Sequence, residues 1–544
     1  MKTKIIKITP TDNVYVALTD LKKGEVLEGI TLITDVPVKH KLAEDDLAVG
    51  DLVKMYGLTI GKAAIPIQRG EHITTFNVKH VAEVYGERKP QLTWHKPDIS
   101  KFEHRTFQGF HRADGRVGTA NYWLVIPMVF CENQNVDVIK NVLLDELGYG
   151  KTSQFQHYTQ LLIQAYKNGG DITSFEYQET QQTANGRGLL FPQVDGIKFL
   201  THTGGCGGTR EDAQILCQLL AGYITHPNVA GATILSLGCQ NAQVKILQEA
   251  INHIDANFSK PLYVFDQQAI GSEEAMLRQA IKQTFIGLTI ANQAQRRAAS
   301  LSHITLGVEC GGSDGFSGIS ANPSVGYCAD LLSALGGKVM LAEFPELCGV
   351  EQELINRCVS EELAHKFTSI QSAYASRAEA VGSGFDMNPS PGNIKDGLIT
   401  DAMKSAGAAK KGGNSPINDV LDYTEQAQKS GLSLLCTPGN DAECTTGLAG
   451  SGANVIMFTT GLGNPMGNPI CPVLKISSNT SLSEKMADII DINAGTIITG
   501  EKTIVEMGEE LLEYCIATAS GEYIPKAVSL GHDDFIPWKR GVSL

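Results

Sequence analysis

From Phe107 onward the sequence repeats one pattern, which constrains the fold more than any other feature. A short apolar run leads into a turn with glycine or cysteine, and a helical stretch follows; GIKFLTH, ATILSLG and ITLGVEC are three such runs. Units of this kind are typical of α/β proteins with a mostly parallel sheet. We therefore expect two α/β lobes, residues 107–350 and residues 351–544, the second beginning with a charged helical connection.

Residues 1–85 have a different pattern, in which short β-rich runs such as VYVAL and ITLITDV alternate with glycine-bearing turns. This alternation predicts a small all-β domain. Residues 86–106 carry two prolines and many charges, which predicts a linker. The expected fold class is therefore α/β, with a small N-terminal all-β domain followed by two mostly parallel lobes.

The composition excludes several classes of protein. The formal net charge is −14 and there is no basic stripe, which argues against nucleic acid as a partner and gives no attraction to an anionic membrane. No apolar run is long enough to span a bilayer, and the N-terminus lacks the apolar core of a signal peptide. The 12 cysteines are scattered without CxxC pairs, which favours reduced thiols. We expect a cytoplasmic homo-oligomer, and no nucleotide cofactor because no Walker A motif is present.

The most informative stretch is residues 307–323, GVECGGSDGFSGISANP. A buried strand is predicted to end at Glu309 and Cys310, and a helix is predicted over residues 325–335. Open α/β sheets bind ligands at the carboxyl ends of their strands, where glycine-rich turns bring backbone N–H groups close to an anion. The stretch therefore predicts a site rather than an ordinary strand–helix turn.

Three cysteines, Cys206, Cys239 and Cys310, follow predicted strands and would meet at one rim if those strands shared a parallel sheet. Thiolates suit iron or zinc, although a buried cysteine is more often a small hydrophobic residue. His40 and His72, in turns of the β domain, form a second candidate metal site because neutral imidazole ligates divalent metals.

His202 precedes Cys206, and a neutral imidazole there could also accept a proton, so it is a candidate catalytic residue together with Glu309.

Amides and an ammonium group predict a pocket for a carboxylate substrate. The turn NPSPGN is followed by Lys404, which we expect at a polar rim where its loss leaves the fold intact, whereas Lys395 and Lys411 are expected to be solvated. The expected substrate-binding residues are Ser313, Asp314, Asn322, Asn388, Asn393 and Thr460.

Several long motifs, in the same order, resemble those of the altronate/galactarate dehydratases over nearly the whole chain. They include HTGGCG (202–207), LGCQN (237–241), ECGGSDGFSGISANP (309–323), NPSPGN (388–393), PGNDA (438–442) and FTTG (458–461). The β domain resembles the SAF (β-clip) module of that family, and FPELCGVEQEL and the terminal KRGVSL are closer to its altronate branch.

The resemblance implies a hydro-lyase that removes water across C2 and C3 of a sugar acid. For altronate the product is 2-keto-3-deoxygluconate, in hexuronate breakdown. It also implies divalent iron, with manganese as a possible substitute. A metal can stabilise the enediolate as a Lewis acid, a base removes the C2 proton and an acid protonates the leaving hydroxyl.

The sequence departs from the family pattern at several positions that usually carry charge or an imidazole. Thr74 and Phe76 replace histidines, Gln240 replaces a glutamate, and Ala120 and Leu462 replace arginines. Met403 stands where an acidic residue is usual. Because these departures change a predicted site, the exact substrate stays open.

These observations allow four hypotheses about the function. The first is the altronate hydro-lyase, and the second is a related lyase for galactarate or a sulfonated lactate. The third is a non-catalytic sugar-acid sensor, which the intact ECGGSDG and NPSPGN motifs disfavour. The fourth is an iron–sulfur hydro-lyase, because three rim cysteines suit a cluster with one open iron.

Overall fold

The computed structural model describes residues 3–81, 84–90, 93–150, 154–176 and 188–543. The first of these ranges is all β, as expected. It contains a four-stranded antiparallel sheet in the order β1-β2-β5-β8, a three-stranded antiparallel sheet in the order β6-β7-β9, and the hairpin β3–β4. The strands are β1 (Ile5–Ile6), β2 (Val14–Ala17), β3 (Val26–Leu27), β4 (Ile30–Thr31), β5 (Lys41–Ala43), β6 (Leu52–Met55), β7 (Leu58–Ala63), β8 (His72–Ile73) and β9 (Val78–Lys79). Residues 82–83, near the end of the expected β domain, and residues 91–92 of the expected linker lie outside the described ranges.

The first α/β lobe is built on a four-stranded parallel sheet in the order β13-β12-β14-β15, beside a three-stranded antiparallel sheet in the order β11-β10-β16. Its strands are β10 (Thr106–His111), β11 (Val117–Gly118), β12 (Tyr122–Pro127), β13 (Gly196–Phe199), β14 (Val229–Ser236), β15 (Leu262–Asp266) and β16 (Arg296–Ser300). Its helices are α1 (Asn133–Glu146), α2 (Gln154–Lys167), α3 (Arg210–Thr225), α4 (Val244–Ile254), α5 (Gln267–Ile270) and α6 (Glu273–Ala291).

The second lobe is built on a seven-stranded parallel sheet in the order β19-β20-β18-β17-β21-β22-β23. Its strands are β17 (Thr305–Cys310), β18 (Lys338–Leu341), β19 (Ile417–Leu421), β20 (Gly431–Leu435), β21 (Val455–Thr460), β22 (Val473–Ser477) and β23 (Ile492–Asn493). Its helices are α7 (Ala321–Ala334), α8 (Glu351–Arg357), α9 (Glu361–Glu379), α10 (Pro391–Lys395), α11 (Asp401–Ala408), α12 (Asp441–Gly450), α13 (Thr480–Lys485), α14 (Ile504–Ala519) and α15 (Lys526–Leu530).

The seven-stranded sheet crosses the lobe boundary that the sequence placed at residue 350. Strand β17 pairs in parallel with β21, from Leu306 opposite Val455 to Cys310 opposite Thr459, and β18 pairs with β20. The boundary between the two sheets therefore lies between β16 and β17, near residue 301. The fold class itself is confirmed, because an all-β region precedes two parts with parallel sheets.

The centre of the second sheet holds the apolar core of this lobe. Strand β17 places Leu306 and Val308, both fully buried, in a cluster with Val325 of α7 and Leu511 of α14. Ile60 of the β domain belongs to the same apolar cluster, so the β domain packs against this lobe. No helix among the described residues is both long and apolar enough to cross a membrane.

Candidate active site

The carboxyl ends of the central strands of the seven-stranded sheet carry a compact group of charged side chains. Cys310 ends β17, and Glu343 follows β18 by two residues. Glu343 is held in the left-handed region, with φ 67° and ψ 60°. A non-glycine residue in this region costs about 1–3 kcal/mol, and such residues cluster at functional sites. The strained backbone places its carboxylate beside the end of β17, where it accepts a hydrogen bond from the backbone N–H of Cys310 at 3.1 Å.

Two buried ion pairs enclose the Cys310 thiol. Lys411 donates to Glu343 and lies 2.8 Å from Cys310 Sγ, which is itself 3.2 Å from Glu346 Oε2. Lys404 donates to Glu346 Oε1 at 2.6 Å and also to the side-chain oxygen of Asn388. The structure therefore brings Cys310, Lys404 and Asn388 together in one buried charged group.

Burial controls the proton affinities of this group. Burial and the neighbouring Glu346 raise the pKa of Glu343 to about 7, against the attraction of Lys411. Burial and Glu346 also raise the pKa of Cys310, so its sulfur is a thiol at neutral pH. Burial lowers the pKa of the Lys404 ammonium group, but attraction to Glu346 outweighs burial and raises this pKa to about 12. Lys404 is therefore a permanent positive charge.

Glu309 lies next to this group and has unmet hydrogen-bonding capacity. Among the described residues neither of its buried carboxylate oxygens has a hydrogen-bond partner, and the same holds for Glu343 Oε1. Glu309, Glu343 and Cys444 place one ligand atom each within 4.8 Å of one another. Because burial and the charge of Glu343 raise its pKa, Glu309 is protonated unless a cation binds it.

Lys475 and Asp441 complete the charged group. Lys475 lies fully buried on β22, with Nζ 3.3 Å from the ring centroid of Phe458, and burial lowers its pKa to about 7. Asp441 opens α12 and accepts a hydrogen bond from Asn464, and burial raises its pKa to about 6. A Cβ on Gly311 would lie 2.2 Å from Asp441 Oδ2, so only glycine allows this close approach. Asp441 is half-buried and is therefore the carboxylate of the group best placed for proton transfer with a ligand.

Asp314 was expected to bind the substrate, but its carboxylate binds side chains of the surrounding loops. Its buried carboxylate accepts hydrogen bonds from Ser317, Ser478 and Asn479, and Lys39 of the β domain lies 3.0 Å from it. With these donors the carboxylate is saturated. The contacts indicate that Asp314 positions the 311–318 loop and docks the β domain on it.

The other expected polar residues also make contacts within the loops. Asn322 accepts from Thr459 at 2.6 Å and donates to a backbone carbonyl. Asn393 accepts from the N–H of Ser390, the N-cap of α10, and donates to the carbonyl of Ser313 at 2.7 Å, while Thr460 accepts from the N–H of Gly463. The Ser313 hydroxyl is buried and has no partner among the described residues, which leaves it available to a ligand.

The three expected metal cysteines do not share one rim, because they belong to two sheets. Cys206 and Cys239 follow β13 and β14 of the first lobe and are exposed, whereas Cys310 is buried at the end of β17 in the second. His202 lies near Cys206 in sequence, but both its ring nitrogens are engaged. One contacts the carbonyl of Pro127 at 2.8 Å and the other accepts from the N–H of Gly204. Burial lowers the pKa of His202 to about 4, so the ring stays neutral and braces two strand ends.

The β-domain histidines do come together. His72 Nε2 lies 2.9 Å from His40 Nδ1, and His40 Nε2 lies 2.9 Å from the carbonyl of Lys395. Burial lowers the pKa of both rings, that of His72 to about 4, which keeps them neutral as metal ligation requires. Two residues near this pair differ from the family pattern. Thr74 hydrogen-bonds to Asn77, and Phe76 is exposed to solvent.

The remaining departures lie in different environments. Ala120 and Met403 are buried, and Gln240 is buried with its amide bonded to Gly238 and Ser236. Leu462 differs from these because it lies at the site, with Cβ 3.5 Å from the position of a Cβ on Gly312. Its Cδ1 also lies 3.7 Å from the position of a Cβ on Gly392, so the side chain between these two loops is apolar.

Sequence reasoning missed several members of the site. Lys411, expected to be solvated, is 1% exposed and paired with Glu343, and Lys404 is 9% exposed rather than at a solvated rim. Glu343 and Glu346 were not selected, although Glu343 lies at the end of the run KVMLAEF and Glu346 comes two residues after it. Their position after a predicted strand, the signal used for Cys310, would have found them.

Comparison with known proteins covers all three parts of the chain. Residues 3–81 match the family described as altronate/galactarate dehydratase SAF domain. Residues 109–292 match the second domain of D-galactarate dehydratase/altronate hydrolase, and residues 301–543 match the C-terminal domain of D-galactarate/altronate dehydratase. The boundary between the last two agrees with the boundary between the two sheets.

Individual relatives are similar over nearly their full length. An altronate dehydratase of Bacillus subtilis (strain 168) is 32% identical over 530 residues, 95% of each chain. An altronate dehydratase of Escherichia coli (strain K12) is 32% identical over 95% of each chain, and a galactarate dehydratase (L-threo-forming) of the same organism is 31% identical over 95% of this chain and 93% of its own. The chain therefore belongs to the altronate/galactarate dehydratase family.

Proposed function

We propose that this member of a family of sugar-acid dehydratases removes water from D-altronate and releases 2-keto-3-deoxy-D-gluconate. The observation that carries the proposal is the buried group of Lys404, Glu346 and Asn388 beside Cys310 and Lys411. Loss of the proton next to a carboxylate creates an enediolate, whose negative charge needs a preorganised cation. Lys404 supplies this charge because its ammonium group does not titrate near neutral pH.

Asp441 is the proposed base. With a pKa raised to about 6 it is mostly ionised at neutral pH, yet basic enough to accept a proton. It takes the C2 proton, and the electrons of that bond move into the substrate carboxylate to give the enediolate. Their return forms the C2–C3 double bond as the C3–oxygen bond breaks. The departing hydroxyl regains the proton from the same carboxyl and leaves as water, and the resulting enol converts to the 2-keto acid.

The divalent iron implied by the family fits the residues around Glu309. Three buried carboxylate oxygens, two of Glu309 and one of Glu343, have no partner among the described residues, which is an arrangement expected where a cation is missing. The sulfur of Cys444 lies within 4.8 Å of both groups. We propose that Glu309 and Glu343 hold the metal, which as a Lewis acid would polarise the substrate carboxylate.

The pair of His40 and His72 is the second proposed metal site. Their facing ring nitrogens lie 2.9 Å apart and share one proton, which a metal would have to displace. Iron content distinguishes the two sites, because Glu309→Gln removes iron under the first assignment and His72→Ala removes it under the second.

Leu462 favours a substrate with one carboxylate. Galactarate carries a carboxylate at each end, and a second anionic group needs a second cation in its pocket. In this chain the apolar side chain of Leu462 lies 3.5 Å from the position of a Cβ on Gly312 and 3.7 Å from that on Gly392. The resemblance to the family implies arginine at this position. Altronate, with a hydroxymethyl group at its far end, matches this environment better.

A panel of aldonates and aldarates, supplied with ferrous iron under anaerobic reducing conditions, tests the proposal. We expect a 2-keto-3-deoxy acid from D-altronate, at a kcat/KM at least about tenfold higher than for galactarate. Equal or faster turnover of galactarate would overturn the choice of substrate. Iron-loaded, folded protein that dehydrates no member of the panel would overturn the proposed activity.

A further inference from the structure

The cysteines of this protein are distributed unevenly between surface and interior. Of the 12 cysteines, three are exposed, namely Cys131, Cys206 and Cys239, and the others are buried or half-buried. Cysteine is among the residue types most often buried, so exposed thiols are unusual. All three belong to the first lobe, away from the buried thiol of Cys310.

These three residues follow three neighbouring strands. Cys131 comes after β12, Cys206 after β13 and Cys239 after β14, and the sheet order places β12 between the other two. The strands are parallel, with Val125 opposite Phe199 and Pro127 opposite Leu235, so their carboxyl ends are level. The three thiols therefore emerge at one edge of one sheet.

The loops that carry the thiols also touch one another. The N–H of Phe130 donates to the carbonyl of Gly204 at 3.1 Å, and the N–H of Ala242 donates to the carbonyl of Gly205 at 3.0 Å. A Cβ on Gly205 would lie 2.2 Å from the carbonyl oxygen of Met128, so the glycine allows the Cys206 loop to press against the end of β12. The loops form a single packed cradle.

We propose that Cys131, Cys206 and Cys239 bind a cubane iron–sulfur cluster with one iron left open. Two sulfurs on a single zinc lie at most about 4.6 Å apart, because each Zn–S bond is about 2.3 Å long. Among the described residues, the groups of three potential ligands within 4.8 Å of one another do not include these cysteines. A cluster is held by thiolates on different irons, so it accepts more widely spaced sulfurs.

The surroundings suit an anionic cluster. The side-chain amide of Gln268 donates to Cys239 Sγ at 3.3 Å, the kind of hydrogen bond that tunes cluster potentials. Lys539 lines the same cavity of about 90 Å³ as Cys206, and Arg210 donates to Asn241 beside it at 2.8 Å. Asp212 lines the same cavity, so Lys539 and Arg210 offset part of the negative charge of three thiolates.

The test is reconstitution of the full-length protein with ferrous iron and sulfide without oxygen. We expect about four acid-labile sulfides per chain in the wild type, with about four irons in addition to the iron proposed at Glu309, and at least about a fivefold loss of labile sulfide in Cys131→Ala, Cys206→Ala and Cys239→Ala. Cys217→Ala is the matched control, because Cys217 is a buried cysteine of the same lobe. Mild oxidation should release the open iron and give the EPR signal of a three-iron cluster.

A second measurement needs no variant. Alkylation followed by mass spectrometry should modify Cys131, Cys206 and Cys239 in the metal-free protein and spare all three after reconstitution. Iron without labile sulfide, or equal alkylation before and after, would overturn the cluster. Glu309→Gln should keep the cluster while it loses dehydratase activity, so failure of the cluster and failure of the proposed function are separable.

Discussion

At the scale of single residues, the charged side chains of the active site form buried ion pairs. Lys404 and Glu346 are 9% and 2% exposed, and Lys411 and Glu343 are 1% exposed or less. Burying an ion pair costs desolvation free energy that its attraction often only balances, so such pairs are weak evidence for stability. Their concentration around the thiol of Cys310 and the carboxylate of Glu309 points instead to catalysis.

Replacing Lys404 by Met should lower turnover about a hundredfold or more, the scale of losing one preorganised electrostatic donor. The variant should also be less stable than the wild type, because Glu346 stays buried without its partner. This lowers the free energy of unfolding by about 3–5 kcal/mol. Steady-state kinetics and thermal unfolding measure the two effects.

Two further variants control this experiment. Adding Glu346→Gln to Lys404→Met removes both charges, so stability should recover while turnover stays low. Lys395→Met changes an exposed lysine of the neighbouring helix and should be neutral in both measurements. Wild-type turnover in Lys404→Met would exclude Lys404 from the chemistry.

Glu309 should make the stability of the metal-free protein depend on pH. Since burial raises its folded-state pKa, its contribution to stability is full below the unfolded value of about 4.3 and is lost as the pH rises toward the folded value. Glutamine has no proton to lose, so Glu309→Gln should raise the melting temperature of the metal-free protein more at about pH 8 than at about pH 5.

The same variant should weaken iron binding at least about tenfold. Glu484→Gln, at an exposed position of α13, is the matched control and should change neither property. A stability difference that does not vary with pH would show that Glu309 keeps the same charge in the folded and unfolded states.

Leu462 should act on specificity. Leu462→Arg adds a cation beside the loops of Gly312 and Gly392, so the ratio of kcat/KM for galactarate over altronate should rise about tenfold. Leu462→Met keeps the side chain apolar and should leave the ratio unchanged. A ratio that does not respond to arginine would place the distal end of the substrate elsewhere.

At the scale of elements, the loop between β17 and α7 joins the active site to the β domain. Lys39 contacts both Asp314 and Asp396, and Lys41 donates to the carbonyl of Gly397 at 2.7 Å. Burial lowers the pKa of Lys41 to about 7. The β domain is therefore docked by polar contacts directly behind the loop that carries Ser313.

Gly315 is the position where this docking is tightest. A Cβ there would lie 2.3 Å from the carbonyl oxygen of Lys39, so Gly315→Ala should push the β domain away at a cost of about 1–3 kcal/mol. We expect faster limited proteolysis of the linker and reduced activity. Gly188→Ala, where a Cβ meets open space, is the control, and identical behaviour of the two variants would contradict the docking role.

Local patterns identified the elements but not their partners. The apolar runs before TGGCGG, CQN and GGSDG are all strands, because strand–turn–helix periodicity is a property of neighbouring residues. Which strands share a sheet depends on pairings between distant segments, such as β17 with β21 across about 150 residues. For this reason the prediction of one shared rim was wrong. Cys206 and Cys239 follow strands of the first sheet, whereas Cys310 ends a strand of the second.

For the whole molecule, the sequence predicted which turns lie near one another better than it predicted the contacts that their side chains make. The turns at 307–323 and 388–393 do meet, because the side chain of Asn393 donates a hydrogen bond to the carbonyl of Ser313. Asp314, Asn322 and Asn393 nevertheless bond to other loops rather than face outward, and a sequence does not show which polar groups a fold consumes internally. Lys411 looked solvated because its partner Glu343 is 68 residues away.

The most direct test of the account is anaerobic turnover of D-altronate by the iron-loaded protein, with the 2-keto-3-deoxy acid as the measured product. We expect product from the wild type and Lys395→Met, and at least about a hundredfold less from Lys404→Met. Equal rates from Lys404→Met and the wild type would contradict the placement of the reaction at the buried charged group.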